Sequence, residues 1–168
     1  MDTPKLPLTF APDAENGRKL RDAFGKFATG ITLITCAGTD GPITIVANSF
    51  SSVSIDPALV LWCLDHASNR YDPFANAQHY AIHVLHAGQT DLCNAAAKDA
   101  QALTAADVSV NSHGVPLIED CLARFECRRV AVHVAGDHDI IVGAVDRVHM
   151  QDGAPLTFYG GKIGALKP

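Results

Sequence analysis

The sequence predicts a mainly β protein, an antiparallel barrel that is closed or half-closed and carries a few flanking helices. Short β-branched segments recur along the chain with turn residues between them. The few helical segments do not alternate regularly with these strands, as they would around a parallel sheet. The chain has 168 residues, of which 48% are hydrophobic, enough for one domain with a substantial core.

The N-terminal part is predicted to be a flexible arm followed by a helix. Residues 1–14 hold three prolines and no periodic pattern, so we predict an arm there and one domain over 15–168. Asn16 is a plausible N-cap for a helix that runs to about Ala28. Its apolar residues recur at helical spacing: Leu20, Phe24 and Phe27.

The remaining elements follow from β-branched runs and turn signals. Gly38–Pro42 is predicted as a hairpin turn, and Ala135–Asp139 as a second hairpin tip. Strands are expected at 31–36, from 43 onward, and at 59–64, 79–86, 122–134, 140–150 and 156–159. Short helices are expected at about 73–78 and 89–98, with a further one at 100–106.

Charge and composition exclude several classes of function. The net charge is -5, and no basic cluster exists beyond Arg128-Arg129, so no nucleic-acid partner is expected. No apolar run reaches the roughly 18 to 20 residues that cross a bilayer, and the first residues do not resemble a secretory signal. Five cysteines without a Cys-x-x-Cys pair predict free thiols in a reducing cytoplasm and no zinc site.

The stretch from Ile45 to Pro57 is a candidate binding loop. Its middle holds five small polar residues: Asn48, Ser49, Ser51, Ser52 and Ser54. A loop of this kind between two buried strands can bind an anion or the polar edge of a ring. An ordinary serine-rich turn has the same composition. Both interpretations stay open on this stretch alone.

Histidines provide a second set of candidates. His138 lies at a predicted hairpin tip, where Gly136 permits a sharp turn and the carboxylates of Asp137 and Asp139 can orient an imidazole. The alternative is a solvent-exposed turn histidine. The group formed by His79, His83 and His86 lacks metal-binding spacing and is interpreted as half-exposed strand histidines, so no metal site is predicted.

Several motifs in register resemble one family. They are 24–35 (FGKFATGITLIT), 46–61 (VANSFSSVSIDPALVL), 135–138 (AGDH) and 142–145 (VGAV). In this order they resemble the flavin reductase-like family, the small NAD(P)H:flavin oxidoreductases of two-component monooxygenases. The resemblance covers about residues 18–166. It implies a dimeric protein with the FMN-binding split-barrel fold, which binds FMN or FAD. NADH or NADPH would reduce this flavin, and the reduced flavin would pass to a monooxygenase partner.

The resemblance also implies roles for particular residues. His138 would be catalytic, at the nicotinamide position close to the flavin. The implied flavin-binding residues are Val46, Ala47, Asn48 and Ser49 at the polar edge, Ser52 and Ser54 near the ribityl chain or phosphate, Cys63 and Leu64 near the isoalloxazine, and Ser68 and Arg70 at the phosphate end.

Two departures from the family pattern define an alternative function. Ile163 stands where the family usually has a tyrosine, and Ala96 where it often has an aromatic residue. Both are expected on the dinucleotide side of the site, with Tyr159 as a substitute. The alternative is therefore a flavin-binding protein without efficient nicotinamide reduction. A weaker third hypothesis is an oxidase of the pyridoxamine-phosphate oxidase kind, against which Gly136-Asp137-His138 argues.

Overall fold

A computed structural model describes residues 7–166 of the chain. The helices are α1 (Gly17–Phe24), α2 (Tyr71–Asn76) and α3 (Thr90–Lys98). The strands are β1 (Thr29–Gly30), β2 (Thr32–Gly38), β3 (Gly41–Ala47), β4 (Ser51–Ile55), β5 (Ala58–Asp65), β6 (His79–Val84), β7 (Ser109–Val110), β8 (Pro116–Leu117), β9 (Ala123–Ala135), β10 (His138–Met150), β11 (Leu156–Tyr159) and β12 (Lys162–Ala165).

Seven of these strands form one antiparallel sheet in the order β3-β2-β6-β9-β10-β5-β4. The two edge strands, β3 and β4, are consecutive in the chain and are joined only by residues 48–50. This short link holds the two edges of the sheet together at one end, so the sheet curls into a half-closed barrel. The predicted fold class, a mainly antiparallel barrel with few helices, is confirmed.

The pairing of β5 with β10 separates a core face from a site face. Side chains that lie opposite each other in an antiparallel pair point to the same side of the sheet. Leu64 pairs with Asp139 and Trp62 with Ile141, and all four are buried. The alternate residues of both strands therefore point to the other face.

The first helix is shorter than predicted. It ends at Phe24 instead of about Ala28, because Gly25 follows and Lys26 N–H turns back to the carbonyl of Ala23. None of its residues is buried, and Phe24 and Phe27 are 69% and 77% exposed. The predicted apolar stripe thus faces outward.

Other expectations also changed. Residues 100–106 form turns and not a helix, and the main chain of Ala100 instead accepts hydrogen bonds from Thr44. Ser51–Ile55 is the edge strand β4 and not a loop. Of the predicted arm, residues 7–13 carry no helix or strand, while residues 1–6 lie outside the described part.

His83 is fully buried, which corrects its interpretation as a half-exposed histidine. Its Nδ1 lies 2.9 Å from the carbonyl oxygen of Leu33, and its Nε2 lies 3.1 Å from the amide of Ile118. The ring therefore donates through Nδ1 and accepts through Nε2, which only the neutral form can do.

Within residues 7–166, no helix combines the length and the apolar character that crossing a membrane requires.

Candidate functional site

An open cavity of about 570 Å³ lies where the two sheet edges meet. It is built by the end of β3, the link to β4, the site face of β5, the segment that follows β5, and the start of β10. Its lining residues are Ile45, Val46, Ala47, Asn48, Ser49, Cys63, Asp65, Ala67, Ser68, Asn69, Arg70 and His138. The structure thus brings together most of the residues implied by the sequence from three separate parts of the chain.

The link between β3 and β4 is held to β5 by a hydroxyl group. The Oγ of Ser49 accepts a hydrogen bond of 2.9 Å from the amide of Cys63. The side chains of Val46 and Ala47 pack on the apolar core, so these residues offer mainly their backbone to the cavity. Asn48 is exposed and lines the cavity. The result is a pre-formed polar wall.

The side chains of Cys63 and Leu64 cannot both point into the cavity, because successive residues of a strand point to opposite faces. Cys63 lines the cavity, while the side chain of Leu64 is completely buried in the core. A role for the Leu64 side chain beside a bound ring is therefore wrong, and only its backbone remains available.

Ser52 and Ser54 lie outside the group that lines the cavity. Strand β4 runs antiparallel to β5, with Ser52 opposite Val60 and Ile55 opposite Ala58. Strand β4 therefore leads away from Cys63. Ser52 lies opposite Val60, three residues before Cys63, which at about 3.3 Å per residue is roughly 10 Å along β5 from Cys63. The role of these two serines near the ribityl chain or phosphate, which the family resemblance implies, stays a prediction.

Ser68 and Arg70 both line the cavity, but the guanidinium of Arg70 already has partners. Its Nε donates to the carbonyl of Thr44 at 3.0 Å, and its Nη2 to that of Ala96 at 2.9 Å. Its Nη1 donates to the side chain of Asn69 at 3.1 Å. Arg70 therefore braces the segment against β3 and the end of α3, and it adds positive charge to the cavity.

His138 stands at the rim, at the start of β10. Gly136 has φ 68°, and the turn it makes brings Nδ1 of His138 to 2.7 Å from Oδ1 of Asp137. This hydrogen bond lowers the pKa of the Asp137 carboxyl. With Nδ1 engaged, Nε2 is the nitrogen left for a ligand. Of the two flanking carboxylates, only Asp137 orients the ring, because Asp139 points to the opposite face.

A second groove of about 830 Å³ adjoins the first cavity and shares Asn48 and His138 with it. Its other lining residues include Arg21, Phe24, Lys26, Phe27 and Phe158. This role of residues 21–27 was not predicted from the sequence, because Phe24 and Phe27 matched an ordinary core stripe. The available signal for a binding surface was that these aromatic residues alternate with the basic residues Arg21 and Lys26.

The two departures from the family pattern differ in their surroundings. Ala96 is fully buried, and Ile163 is half-buried and packs on the same apolar cluster as Leu33 and Leu85. Phe158, and not Tyr159, lines the second groove. Ile163 pairs with Phe158, which lines the second groove, so position 163 lies beside the surface on which a dinucleotide would lie, whereas position 96 does not.

The fold is a curled antiparallel sheet, a half-closed barrel, whose two adjoining cavities share Asn48 and His138. The chain belongs to the flavin reductase like domain family, whose model matches residues 24–167. The resemblance drawn from the sequence motifs is thereby confirmed.

Relatives with assigned names share this domain. The chain is 49% identical over 155 residues to the FMN reductase (NADH) SmoA of Agrobacterium fabrum, covering 92% of this chain and 89% of that protein. It is 42% identical to the reductase component of the flavin-dependent trigonelline monooxygenase of Acinetobacter baylyi, covering 86% of this chain but only 47% of that protein.

A solved structure extends the comparison. The NADH:FAD oxidoreductase SgcE6 of Streptomyces globisporus, solved in complex with NAD and FAD fragments, superposes with a TM-score of 0.86. It is 30% identical, and the alignment covers 95% of this chain and 98% of that one.

Proposed function

We propose that the protein is an NAD(P)H:flavin oxidoreductase that reduces FMN or FAD by hydride transfer and supplies the reduced flavin to a monooxygenase. The observation that carries this proposal is the position of His138 and Asn48, which line both cavities at once. Hydride transfer needs two ring systems in contact, and two adjoining cavities meet that need. The names of the relatives support the same reaction.

The first cavity suits the flavin. The isoalloxazine edge offers an N–H and two carbonyl oxygens, which the backbone of Val46 and Ala47 and the polar groups of Asn48 and Ser49 can satisfy. Cys63 would lie beside the ring, and Ser68 with the charge of Arg70 would meet the phosphate end. When bound, the flavin accepts the hydride, and the protein positions it and excludes water.

The second groove suits the nicotinamide nucleotide. Phe24 and Phe27 offer exposed aromatic faces for ring stacking, and Arg21 and Lys26 offer positive charge for the pyrophosphate. His138 stands between this groove and the flavin cavity. Because Nδ1–H donates to the Asp137 carboxylate, the neutral ring accepts at Nε2, as it would from the N–H of the nicotinamide carboxamide. Only the doubly protonated ring could hand a proton from Nε2 to the reduced flavin.

The test is to mix the purified protein with FMN or FAD and to follow the absorbance of NADH, and separately of NADPH. Oxidation well above the rate with flavin alone is expected. No oxidation with either nucleotide would contradict the proposal. Tight flavin binding without oxidation would favour the alternative, a flavin-binding protein that lacks efficient nicotinamide reduction.

We also propose a homodimer. Three valines of β9 are exposed along one strand: Val130 at 45%, Val132 at 43% and Val134 at 78%. A row of exposed valines on a regular strand is typical of a surface that another protein chain covers. Sedimentation of the wild-type protein is expected to give twice the monomer mass, and Val134→Asp to shift it toward the monomer.

We infer that the protein works in the cytoplasm. All five cysteines are free thiols, and four of them are buried. Unpaired cysteines are usual in a reducing compartment.

A further inference from the structure

Asp139, the residue after His138, has a buried carboxylate on the opposite face of the sheet. The side chain of Asp139 is only 6% exposed, and both of its oxygens accept hydrogen bonds. Oδ1 lies 2.9 Å from Nε2 of His66, and Oδ2 lies 2.7 Å from the hydroxyl of Tyr71. The rings of His66 and Tyr71 also meet edge to face, with centroids 5.4 Å apart.

The protonation states fit this arrangement. The hydrogen bond from His66, followed by that from Tyr71, lowers the pKa of the Asp139 carboxyl, so the carboxylate is charged at neutral pH. The same bond to Asp139 raises the pKa of the Tyr71 hydroxyl, which therefore keeps its proton. Two donors thus converge on one ionised acceptor, the arrangement in which hydrogen bonds are strongest.

The two donors flank a cavity segment. His66 and Tyr71 stand immediately before and after residues 67–70, which contribute Ala67, Ser68, Asn69 and Arg70 to the flavin cavity. Asp139 follows His138 in the chain. The amide of His66 further donates to the carbonyl of Asp137 at 3.0 Å. One carboxylate therefore joins both ends of the cavity segment to the hairpin tip that presents His138.

The cluster does not itself contact a ligand. Among the described residues, those that line the two cavities do not include His66, Tyr71 or Asp139. Because Asp139 points to the core face and His138 to the site face, any effect of Asp139 on the reaction must pass through the segment 67–70 or through His138.

We propose that Asp139 is a positioning residue for flavin reduction, holding the segment 67–70 against the His138 hairpin so that the phosphate end and the ring of the flavin are bound in register. This inference rests on the proposed function, in which the first cavity takes the flavin. Loss of the carboxylate frees the segment, and flavin affinity falls while the nucleotide groove is preserved.

The test compares Asp139→Ala, Asp139→Asn, Tyr71→Phe and His66→Ala with wild type. Flavin dissociation constants come from quenching of flavin fluorescence, and KM values for flavin and NADH from steady-state kinetics. Asp120→Ala is a surface control, since Asp120 also pairs with a histidine, His86, at 3.1 Å but is 76% exposed and lines neither cavity. Amide hydrogen exchange over residues 66–71 reports the freedom of the segment directly.

Asp139→Ala is expected to raise both the flavin dissociation constant and the flavin KM about tenfold, with the NADH KM changed less than about twofold. Exchange over 66–71 should increase, and Asp139→Asn should recover part of the affinity. Tyr71→Phe and His66→Ala should each cause part of the loss, and Asp139→Ala should add nothing to their double variant. Asp120→Ala should leave the flavin values unchanged.

Flavin affinity and exchange at wild-type values in Asp139→Ala would overturn the inference. An equal loss in Asp120→Ala would do the same, because it would reflect general destabilisation. If Asp139→Ala does not fold, Tyr71→Phe, which keeps the ring and removes one hydrogen bond, decides the question. Flavin binding without NADH oxidation in wild type would contradict the proposed function alone, and the affinity comparison would still judge Asp139.

Discussion

The hydroxyl of Tyr80 occupies the space that a side chain at Gly143 would need. A Cβ on Gly143 would overlap this hydroxyl and would lie 3.0 Å from Cζ of the same ring and 3.2 Å from Cβ of Cys127. Tyr80 is buried among Trp62 and Cys127, so it cannot move aside freely. The glycine of the Val-Gly-x-Val strand is thus required by packing in the barrel.

Gly143→Ala is therefore expected to lower the free energy of unfolding by about 1 to 3 kcal/mol, measured by urea denaturation. Adding Tyr80→Phe should recover part of this loss, because it removes the overlapping oxygen. Gly164→Ala is the control on another strand, since its Cβ would meet only Thr157 at 3.7 Å. Equal losses in Gly143→Ala and Gly164→Ala would mean that the contact with Tyr80 is unimportant.

His138→Ala should slow flavin reduction by roughly 10- to 100-fold while leaving flavin affinity nearly unchanged, because the ring acts at the nucleotide side of the flavin. Stopped-flow reduction and fluorescence titration measure the two quantities. Asp137→Asn, which weakens the hydrogen bond that orients the ring, should have a smaller effect in the same direction. A collapse of flavin affinity in His138→Ala would make this histidine a flavin ligand.

Asn48→Leu is expected to weaken flavin binding about five- to tenfold, because the polar edge of the ring loses a partner. Fluorescence titration with FMN and FAD checks this. Ser52→Ala is the control, since β4 carries Ser52 away from the cavity and affinity should not change. A similar loss in both variants would indicate that the flavin extends along β4.

Stability should fall as the pH drops from about 7.5 to about 5, partly through His83. Burial lowers the pKa of this histidine from 6.5 to about 4. Between these values the unfolded chain binds a proton that the folded protein does not, so folding loses stability as the pH falls through 6.5. The difference of pKa corresponds to about 2 kcal/mol by pH 5.

Urea denaturation at both pH values measures this dependence. In His83→Gln the dependence should be weaker by about that amount. An unchanged slope in His83→Gln would mean that other groups account for the acid sensitivity.

Motifs identified several residues of the cavity, but strand geometry decided which of the predicted residues line it. Asn48, Ser49, Cys63 and His138 were named from motifs and do line the cavity. Leu64 was named beside Cys63, although the alternation of a strand allows only one of them to face the site. Ser52 and Ser54 were assigned to a loop because of their polar composition, while pairing with β5 makes them part of an edge strand.

Asp139 shows a different limit. In the sequence it was one of two carboxylates beside His138, and nothing local distinguished it from Asp137. Its partners, His66 and Tyr71, lie about seventy residues earlier and meet it only because β5 and β10 pair. Contacts of this kind depend on strand register, which is set by the packing of the whole sheet.

By itself the sequence determined the family, the antiparallel barrel class and the presence of a histidine at a glycine turn, because turn chemistry and strand periodicity are local properties. Only the tertiary structure decided that two cavities share His138, that Phe24 at the end of α1 and Phe27 after it face outward, and that Asp139 faces away from the site. These relationships arise where the edges of one curled sheet meet, and they join residues that are far apart in the chain.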